Sequence, residues 1–240
     1  MRIGTRVLGA AAVLAGAVGL AFGHAGSGPL SLMVHAGDVV LVLAGIGINL
    51  GRRWALWAAV ALALYFAVSL ALKAPHLPRG WKSWGSWQDI AETTAVGMGA
   101  VIAWALLSRS GGGAPGRVGE VARRVFGLCL VVFGISHFVY LKFTASLVPA
   151  WVPPSQTAWA WATGAAHIGA GLAILSGVLA RPAAALATAM FALFGLMVWL
   201  PAVAHAPSSH DAWSETGVNW LLVAAAWCVT DWLGRTGRRA

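Results

Sequence analysis

The sequence predicts an all-α integral membrane protein whose eight transmembrane helices form two parallel four-helix repeats. Two observations carry this prediction: an unusually apolar composition and a pattern that occurs twice along the chain. Hydrophobic residues make up 59% of the chain and charged residues only 10%, with a mean hydropathy of +0.77. Soluble domains carry about 25% charged residues, so this composition excludes an ordinary soluble domain.

Eight apolar stretches are long enough to cross a bilayer, which takes about 20 helical residues each. The predicted spans are 5–24, 30–50, 54–73, 88–107, 124–141, 158–179, 183–203 and 214–232. A membrane β-barrel would need short alternating segments, which the sequence lacks. The first stretch also fits a signal peptide, with arginines before an apolar run. Its counterpart lies in the middle of the chain, where no signal peptide can be, and this favours a span.

The repeat is visible in the letters of the sequence. The segment Arg6–Gly16 returns as Arg124–Gly134. At one constant offset, three more residues recur, namely Arg52, Tyr65 and His76 as Arg181, Phe194 and His205. Such self-similarity indicates duplication, with a first repeat over 1–108, a glycine-rich linker over 109–121 and a second repeat over 122–240. Because each repeat has an even number of spans, both have the same orientation in the membrane.

Lysine and arginine predict the orientation. Twelve of the sixteen basic residues fall in the segments that an inside N-terminus would place in the cytoplasm. The positive-inside rule therefore predicts that both termini are cytoplasmic. The arginines lie in short loops instead of on one face, so binding to nucleic acid is not expected; the lipid bilayer is the expected partner.

Local signals predict helix starts and close helix packing. Ser86–Asp89 and Ser208–Asp211 have the spacing of capping boxes for the fourth and eighth helices. Small residues four apart, as in Gly19–Gly23, Gly47–Gly51 and Ala165–Gly169, predict close approach of helices within the molecule. The two cysteines form no metal or redox motif and are expected to be apolar filler.

The two repeats differ most in the segment Tyr140–Gln156. It is rich in proline, which forbids a continuous helix and predicts a compact loop. Trp151, Trp159 and Trp161 lie in or just after this segment, where they would anchor it at the lipid headgroups. The same tryptophans also suit a lid or a docking surface.

Ionisable residues inside the predicted spans are the candidates for function, because burying them in a membrane costs free energy. His35 and Asp38 lie three residues apart on the second span and hence on one helix face. His137 and His167 lie on the fifth and sixth spans. The remaining two candidates, about one turn inside the fourth and eighth spans, are Glu92 and Glu215. For each of them a structural role, in packing or capping, is the alternative.

The second repeat resembles a known family. Its pattern is Phe133–Phe138, then Val148–Pro153 and Ala162–Leu172, followed by Arg181 and His205. In this order the segments are similar to the DoxX-like family of four-span bacterial membrane proteins, which includes DoxD and is related to the SURF4 type. The resemblance covers about 122–232, and the first repeat matches as a degenerate copy. Family members often carry a glutamate at the position of His167, with which Asp38 aligns.

The resemblance implies a subunit of a redox system in the bacterial cytoplasmic membrane. DoxD-type proteins are membrane subunits of thiosulfate:quinone oxidoreductase, and some DoxX proteins associate with thiol-redox enzymes. We therefore expect His137 and His167, with Trp151 and Trp159 nearby, to bind a quinone, and the acids to move protons or hold the histidines. A redox protein partner is expected as well.

Other functions stay open at this stage. A carrier of small molecules or lipids would also use paired halves with polar groups between them, and a scaffold would use the outer tryptophans to dock a partner without a cofactor. A metal site would need the histidines and a carboxylate to converge. A bis-histidine haem site would need His137 and His167 to face each other. The sequence contains no P-loop, dinucleotide-binding or HExxH motif.

Overall fold

The computed structural model describes residues 1–22, 28–76, 83–108 and 113–236, and all regular structure in these segments is helical. The α-helices are α1 Ile3–Phe22, α2 Pro29–Asn49, α3 Arg52–Lys73, α4 Trp84–Leu107, α5 Ala114–Val139, α6 Leu141–Leu147, α7 Gln156–Ser176, α8 Ala180–Phe194, α9 Leu200–His205 and α10 His210–Thr236. A 3₁₀ turn, Ala74–His76, follows α3. A π-helical segment, Gly195–Trp199, joins α8 to α9.

Among the residues that the structure describes, six helical rods are long and apolar enough to cross a membrane: α1, α2, α3, α4, α7 and the continuous rod Ala180–His205. Helices α5 and α6 pass together as a seventh, although the chain bends by 97° between them. The fold is therefore all-helical and compatible with a membrane protein. The last predicted span lies in α10, which is a helix of 27 residues but is not among these apolar rods. Most of its middle, from Leu221 to Val229, is buried against other helices, so this helix needs no apolar surface towards lipid.

Polar contacts bring alternate helix ends together at one end of the bundle, which we call the arginine end. The backbone N–H of Gly4 donates to Oδ2 of Asp231 at 3.0 Å and joins the start of α1 to the end of α10. The guanidinium of Arg52, at the start of α3, donates to the carbonyl of Leu107 at 3.0 Å. Arg235 of α10 donates to carbonyls in the last turn of α4. Helices α1 and α10, and likewise α3 and α4, therefore run in opposite directions, whereas α4 and α10 end together and run in the same direction.

The same pattern of helix neighbours occurs twice. Helix α1 packs against α2 and α10, while α5 packs against α7 and α4. Helix α3 lies between α2 and α4, and α8 lies between α7 and α10. Helices α4 and α10 also pack against each other and bring the two sets into one core.

Glycines bring two of these helix pairs unusually close. A Cβ atom at Gly9 of α1 would lie 2.8 Å from the carbonyl oxygen of Gly45 of α2. A Cβ atom at Gly127 of α5 would lie 2.9 Å from the carbonyl oxygen of Gly171 of α7. These contacts leave no room for a side chain.

The small residues spaced four apart, which were predicted to bring helices close, are a different set from these glycines. A Cβ atom at Gly169 or at Gly51 would meet nothing within 4 Å. Neither glycine therefore packs against a helix, and the predicted close approach at these two positions is wrong. Gly47 does face Ala58, since a Cβ atom at Gly47 would lie 3.1 Å from the Cβ of Ala58. Gly23 lies outside the described residues.

The predicted capping boxes are displaced. Helix α4 begins at Trp84, before Ser86, and the backbone N–H of Gly85 donates to the hydroxyl of Tyr140 at 2.9 Å. This tertiary bond satisfies an amide of the first turn that a capping serine would otherwise serve. At α10 the capping residue is Ser209, whose Oγ accepts from the N–H of Ala212 at 3.3 Å.

The segment Tyr140–Gln156, predicted as a loop, begins with the short helix α6, and only the part after Leu147 is a loop without regular helix. The amide of Gln156 donates to the carbonyl of Val148 at 2.5 Å. The indole N–H of Trp159 donates to the carbonyl of Pro153 at 2.8 Å. These bonds tie the start of α7 to the loop. The start of α10 has an equivalent bond, from the indole of Trp213 to the carbonyl of Pro207 at 2.9 Å.

Candidate functional site

His137 and His167, two of the candidate site residues, lie next to each other. Their rings lie on α5 and α7, with centroids 5.2 Å apart. Nδ1 of His137 donates to the carbonyl of Phe133, one turn earlier, at 2.9 Å. Because a carbonyl can only accept, this bond places the proton of a neutral imidazole on Nδ1 and leaves Nε2 as an acceptor.

His167 is the more deeply buried histidine of the pair. Its side chain is 1% exposed, and Nδ1 has no hydrogen-bond partner among the described residues. An unpaired buried polar atom costs about 1–3 kcal/mol. Such a group in a native protein calls for an explanation, and one explanation is that the atom hydrogen-bonds to a bound molecule.

Aromatic rings surround the histidine pair. The ring of His167 lies 5.2 Å from that of Phe191, 6.0 Å from that of Phe133 and 6.1 Å from that of Phe194, measured between centroids. The ring of His137 stacks on Phe194 at 6.4 Å. The site is thus an apolar, aromatic cage with two imidazoles as its polar groups.

The π-helical segment begins directly after this cage. The side chain of Asn219, on α10, donates to the carbonyl of Phe191 at 3.1 Å. Pro201 follows the segment and has no N–H to continue the helical ladder. π-Helical segments within α-helices occur frequently at functional sites, and this one adjoins two phenylalanines of the cage.

His35 and Asp38 lie in a separate place, on α2. Nδ1 of His35 donates to the carbonyl of Ser31 at 2.8 Å. Asp38 is 8% exposed and interacts electrostatically with Tyr65 of α3. Asp38 and His167 occupy aligned positions of the two repeats, but α2 and α7 belong to different sets of packed helices.

In its contacts between helices Asp38 resembles His137 and not His167, because Asp38 and His137 each face a glycine of the neighbouring helix. A Cβ atom at Gly19 of α1 would lie 2.2 Å from Oδ1 of Asp38. In the second set of helices, a Cβ atom at Gly164 of α7 would lie 2.9 Å from Cβ of His137. In each set a polar residue of one helix therefore faces a glycine of the other. The polar residue is on the second helix of the first set and on the first helix of the second set.

Glu92 on α4 and Glu215 on α10 interact electrostatically. Glu92 ends a chain of hydrogen bonds. The indole of Trp84 donates to Oγ of Ser136 at 2.7 Å, and Ser136 donates to Oε1 of Gln88 at 2.6 Å. Gln88 in turn donates to Oε1 of Glu92 at 2.9 Å. This chain joins Glu92 to the residue next to His137.

The remaining acids and histidines occupy the ends of helices. Lys73 forms an ion pair with Asp89 at 2.5 Å, and its ammonium also donates to Thr93 at 2.8 Å. His205 donates to the carbonyl of Pro201 at 2.7 Å, and Asp211 lies 3.3 Å from His210. These contacts hold helix ends and form no further shared site.

The tryptophans expected at the site lie on the surface of the loop after α6 and at the start of α7. Trp151, at the tip of the loop after α6, is 76% exposed. Trp159 is 41% exposed, and its indole N–H is used by the carbonyl of Pro153. Their surfaces therefore suit lipid headgroups or a partner.

The arrangement does not favour the two other cofactor hypotheses. Among the described residues, no group of three or more His, Cys, Asp or Glu side chains could hold a metal ion. The rings of His137 and His167 are too close for a porphyrin to lie between them. Cys129 and Cys228 are buried and unpaired as disulfides, which agrees with a filling role.

Several residues of the site were not found from the sequence. Gln88 lies one helical turn before the candidate Glu92, and this spacing was a usable signal. Ser136, Tyr65 and Phe191 join their clusters only through helices that are distant in sequence, so no local pattern marks them.

Comparison with known proteins finds a match to a family model. The model of a domain of unknown function (DUF8561) matches residues 126–230. The matched segment is less than half of the 240 residues and contains both His137 and His167. No curated protein and no solved structure matches the chain.

Proposed function

We propose that this chain is a multi-pass protein of the bacterial cytoplasmic membrane with eight spans in two parallel repeats and both termini in the cytoplasm. The bond between Gly4 and Asp231 supports an even number of crossings such as eight, because it places the end of α10 where α1 begins. The arginines at that end support a cytoplasmic position for it. The duplicated pattern of helix neighbours and of glycine contacts supports the two repeats.

The proposed function is to bind the head group of a quinone or quinol at His137 and His167, as the membrane subunit of a redox system. The observation that carries it is the buried Nδ1 of His167, unpaired among the described residues and set beside a second imidazole in an aromatic cage. A quinone offers a flat ring for the phenylalanines and carbonyl oxygens for an imidazole N–H. Membership of the DoxX-like family stays a prediction that agrees with this function.

The two imidazoles suit the reduced and the oxidised state of the ligand, quinol and quinone. Nε2 of His137 is an acceptor because Nδ1 donates to Phe133, so it can accept from a quinol hydroxyl. An N–H of His167 can donate to a quinone carbonyl. When quinol is oxidised it releases two protons and two electrons. The imidazoles would take up protons, and the electrons would pass to the redox protein partner.

The hydrogen-bonded chain near Glu92 would serve this reaction by orientation. Ser136 lies directly before His137 on the same turn of α5. Its bond to Gln88 fixes the amide that donates to Glu92. An amide does not readily pass a proton on, so this chain holds the carboxylate in place. Glu92 and Glu215 would receive protons that leave the site.

The test is quinone binding by matched histidine variants. The protein is purified in mild detergent, its bound quinone is extracted and quantified, and added short-chain quinone is titrated by tryptophan fluorescence. We expect His137→Gln and His167→Gln each to weaken binding at least tenfold. His205→Gln is the matched control, because His205 makes the same bond to a carbonyl one turn earlier on an exposed helix end. Normal binding by both cage variants, or no binding by the unchanged protein, would refute the site.

A scaffold function is favoured by one observation, the exposure of Trp151 at the loop tip. A carrier would need the halves to move relative to each other around a polar site. An absorption spectrum with and without dithionite, together with the quinone analysis, separates these functions. A colourless protein that binds no quinone would favour the scaffold or the carrier.

A further inference from the structure

A second site lies at the arginine end, remote from the histidine cage and outside the proposed function. A cavity of about 290 Å³ opens between the starts of α1 and α3 and the end of α4. The residues that line it are Met1, Arg2, Thr5, Arg52, Leu106 and Leu107. Two of the six are arginines and none is acidic.

Both arginines retain donors for a ligand. The guanidinium of Arg2 has no hydrogen bond or ion pair with any described residue. The bond from Arg52 to Leu107 orients its guanidinium and uses one of five N–H donors. Two arginine side chains at one cavity form a pattern that binds phosphate through paired N–H groups.

The nearby charges do not neutralise this cavity. Asp231 packs near the start of α1, but its Oδ2 is used by the backbone N–H of Gly4 and it does not line the cavity. Arg52 also begins α3, where the helix dipole is positive and Gly51 supplies no capping side chain. The potential inside the cavity therefore favours an anion.

We propose that this cavity binds the phosphate of an anionic phospholipid. The phosphate would lie against Arg2 and Arg52, and the apolar side chains of Leu106 and Leu107 would contact the part of the lipid nearest its headgroup. Basic pockets between membrane helices on the cytoplasmic side bind anionic headgroups in this way. The choice of phosphate rests on the cavity alone, while the choice of a lipid also rests on the proposed orientation.

The experiment compares three probes on the full chain in mild detergent. Short-chain phosphatidylglycerol, short-chain phosphatidylcholine and inorganic phosphate are titrated, and the thermal unfolding midpoint and the Kd are measured. We expect phosphatidylglycerol to raise the midpoint and phosphatidylcholine to leave it unchanged. Equal binding of inorganic phosphate would support the phosphate site and overturn the lipid as its occupant. Equal stabilisation by phosphatidylcholine would overturn the proposal.

Matched arginine variants locate the effect. The double variant Arg2→Gln with Arg52→Gln should bind phosphatidylglycerol at least tenfold more weakly. Arg2→Gln alone, which keeps the bond between Arg52 and Leu107, should lose several-fold and guards against a folding defect. Arg53→Gln is the control, since Arg53 is exposed on the same helix turn but does not line the cavity. An equal loss in Arg53→Gln would show a general charge effect and overturn the site.

Discussion

Arg123 is a buried, paired arginine, which the amino-acid composition does not reveal. In the sequence it counts as one of many positive charges, yet its side chain is only 5% exposed. Glu120 accepts from Nε of Arg123 at 2.9 Å and also from its Nη2. Arg124 lies 3.2 Å from the same carboxylate but is 60% exposed. Burial thus separates two adjacent arginines that look equivalent in sequence.

The first prediction is that Glu120→Gln lowers the free energy of unfolding by about 1–3 kcal/mol. The change leaves a buried guanidinium without its carboxylate. Breaking a fully buried pair costs about 3–5 kcal/mol, and the 37% exposure of the Glu120 side chain reduces that loss by solvent screening. The control Arg124→Gln should cost about 0.2–0.5 kcal/mol. Unfolding in mixed micelles measures both, and equal losses would contradict the prediction.

The pH dependence supplies an independent check. The hydrogen bond from Arg123, with further help from the charges of Arg123 and Arg124, holds the pKa of Glu120 below its ordinary value of 4.5. A lowered folded-state pKa means that this stability is present above pH 4.5 and is lost as the pH falls through the folded value. The difference between the unchanged protein and Glu120→Gln should therefore be constant near neutrality and vanish in acid. A difference that persists in acid would show that charge is not its cause.

At the scale of elements, glycines decide which helices approach closely. Gly127 and Gly171 allow α5 and α7 to approach backbone to backbone, and Gly134 faces the carbonyl oxygen of Gly164 further along the same pair. This pair of helices also carries His137 and His167. The distance between the imidazoles therefore depends on glycines that are not themselves in the site.

The second prediction concerns Gly171→Ala, which should lower the free energy of unfolding by about 1–3 kcal/mol. The added Cβ would lie 2.6 Å from the carbonyl oxygen of Gly127, a backbone atom that cannot move aside alone. Gly169→Ala on the same helix is the control, because nothing lies within 4 Å of its Cβ position. It should be neutral or stabilising by up to about 1 kcal/mol, since alanine favours helix. A similar loss in both variants would mean that packing between α5 and α7 is not the cause.

At the scale of the whole molecule, the directions of the helices determine which charged residues meet at one end of the bundle. The start of α1 and the end of α10 meet through Gly4 and Asp231, and Arg52 and Arg235 reach the last turn of α4 at the same end. One end of the bundle therefore collects arginines from distant parts of the chain. In a membrane this end is expected to face the cytoplasm.

The third prediction tests this topology with single cysteines. After Cys129 and Cys228 are replaced by alanine, a membrane-impermeant maleimide applied to intact cells should label Ser208→Cys, an exposed position between α9 and α10. It should not label Arg53→Cys, an exposed position at the arginine end. Labelling of both after the cells are opened confirms that each thiol is accessible. Labelling of Arg53→Cys in intact cells would contradict cytoplasmic termini.

Much of this fold could be predicted from the sequence, because each rod is specified locally. The apolar runs predicted from the sequence lie largely within the long helices, although their bounds pass the ends of α2 at Asn49 and of α7 at Ser176. The predicted loop from Tyr140 to Gln156 contains the break after α5. The cap predicted at Ser86 is displaced because the tertiary bond from Gly85 to Tyr140 satisfies an amide that local rules assign to a serine. The cap predicted at Ser208 is displaced by one residue, to Ser209.

The sequence by itself determined an all-helical, strongly apolar chain and which polar residues lie within its helices, since these follow from composition and period. Only the tertiary structure decided which polar residues meet. It joined His137 to His167, left Asp38 with Gly19 and Tyr65, and connected Glu92 to Ser136. It also revealed that α10 is a central helix with polar residues that its neighbours cover. Such choices depend on side-chain fit between helices far apart in sequence, and no local pattern encodes that fit.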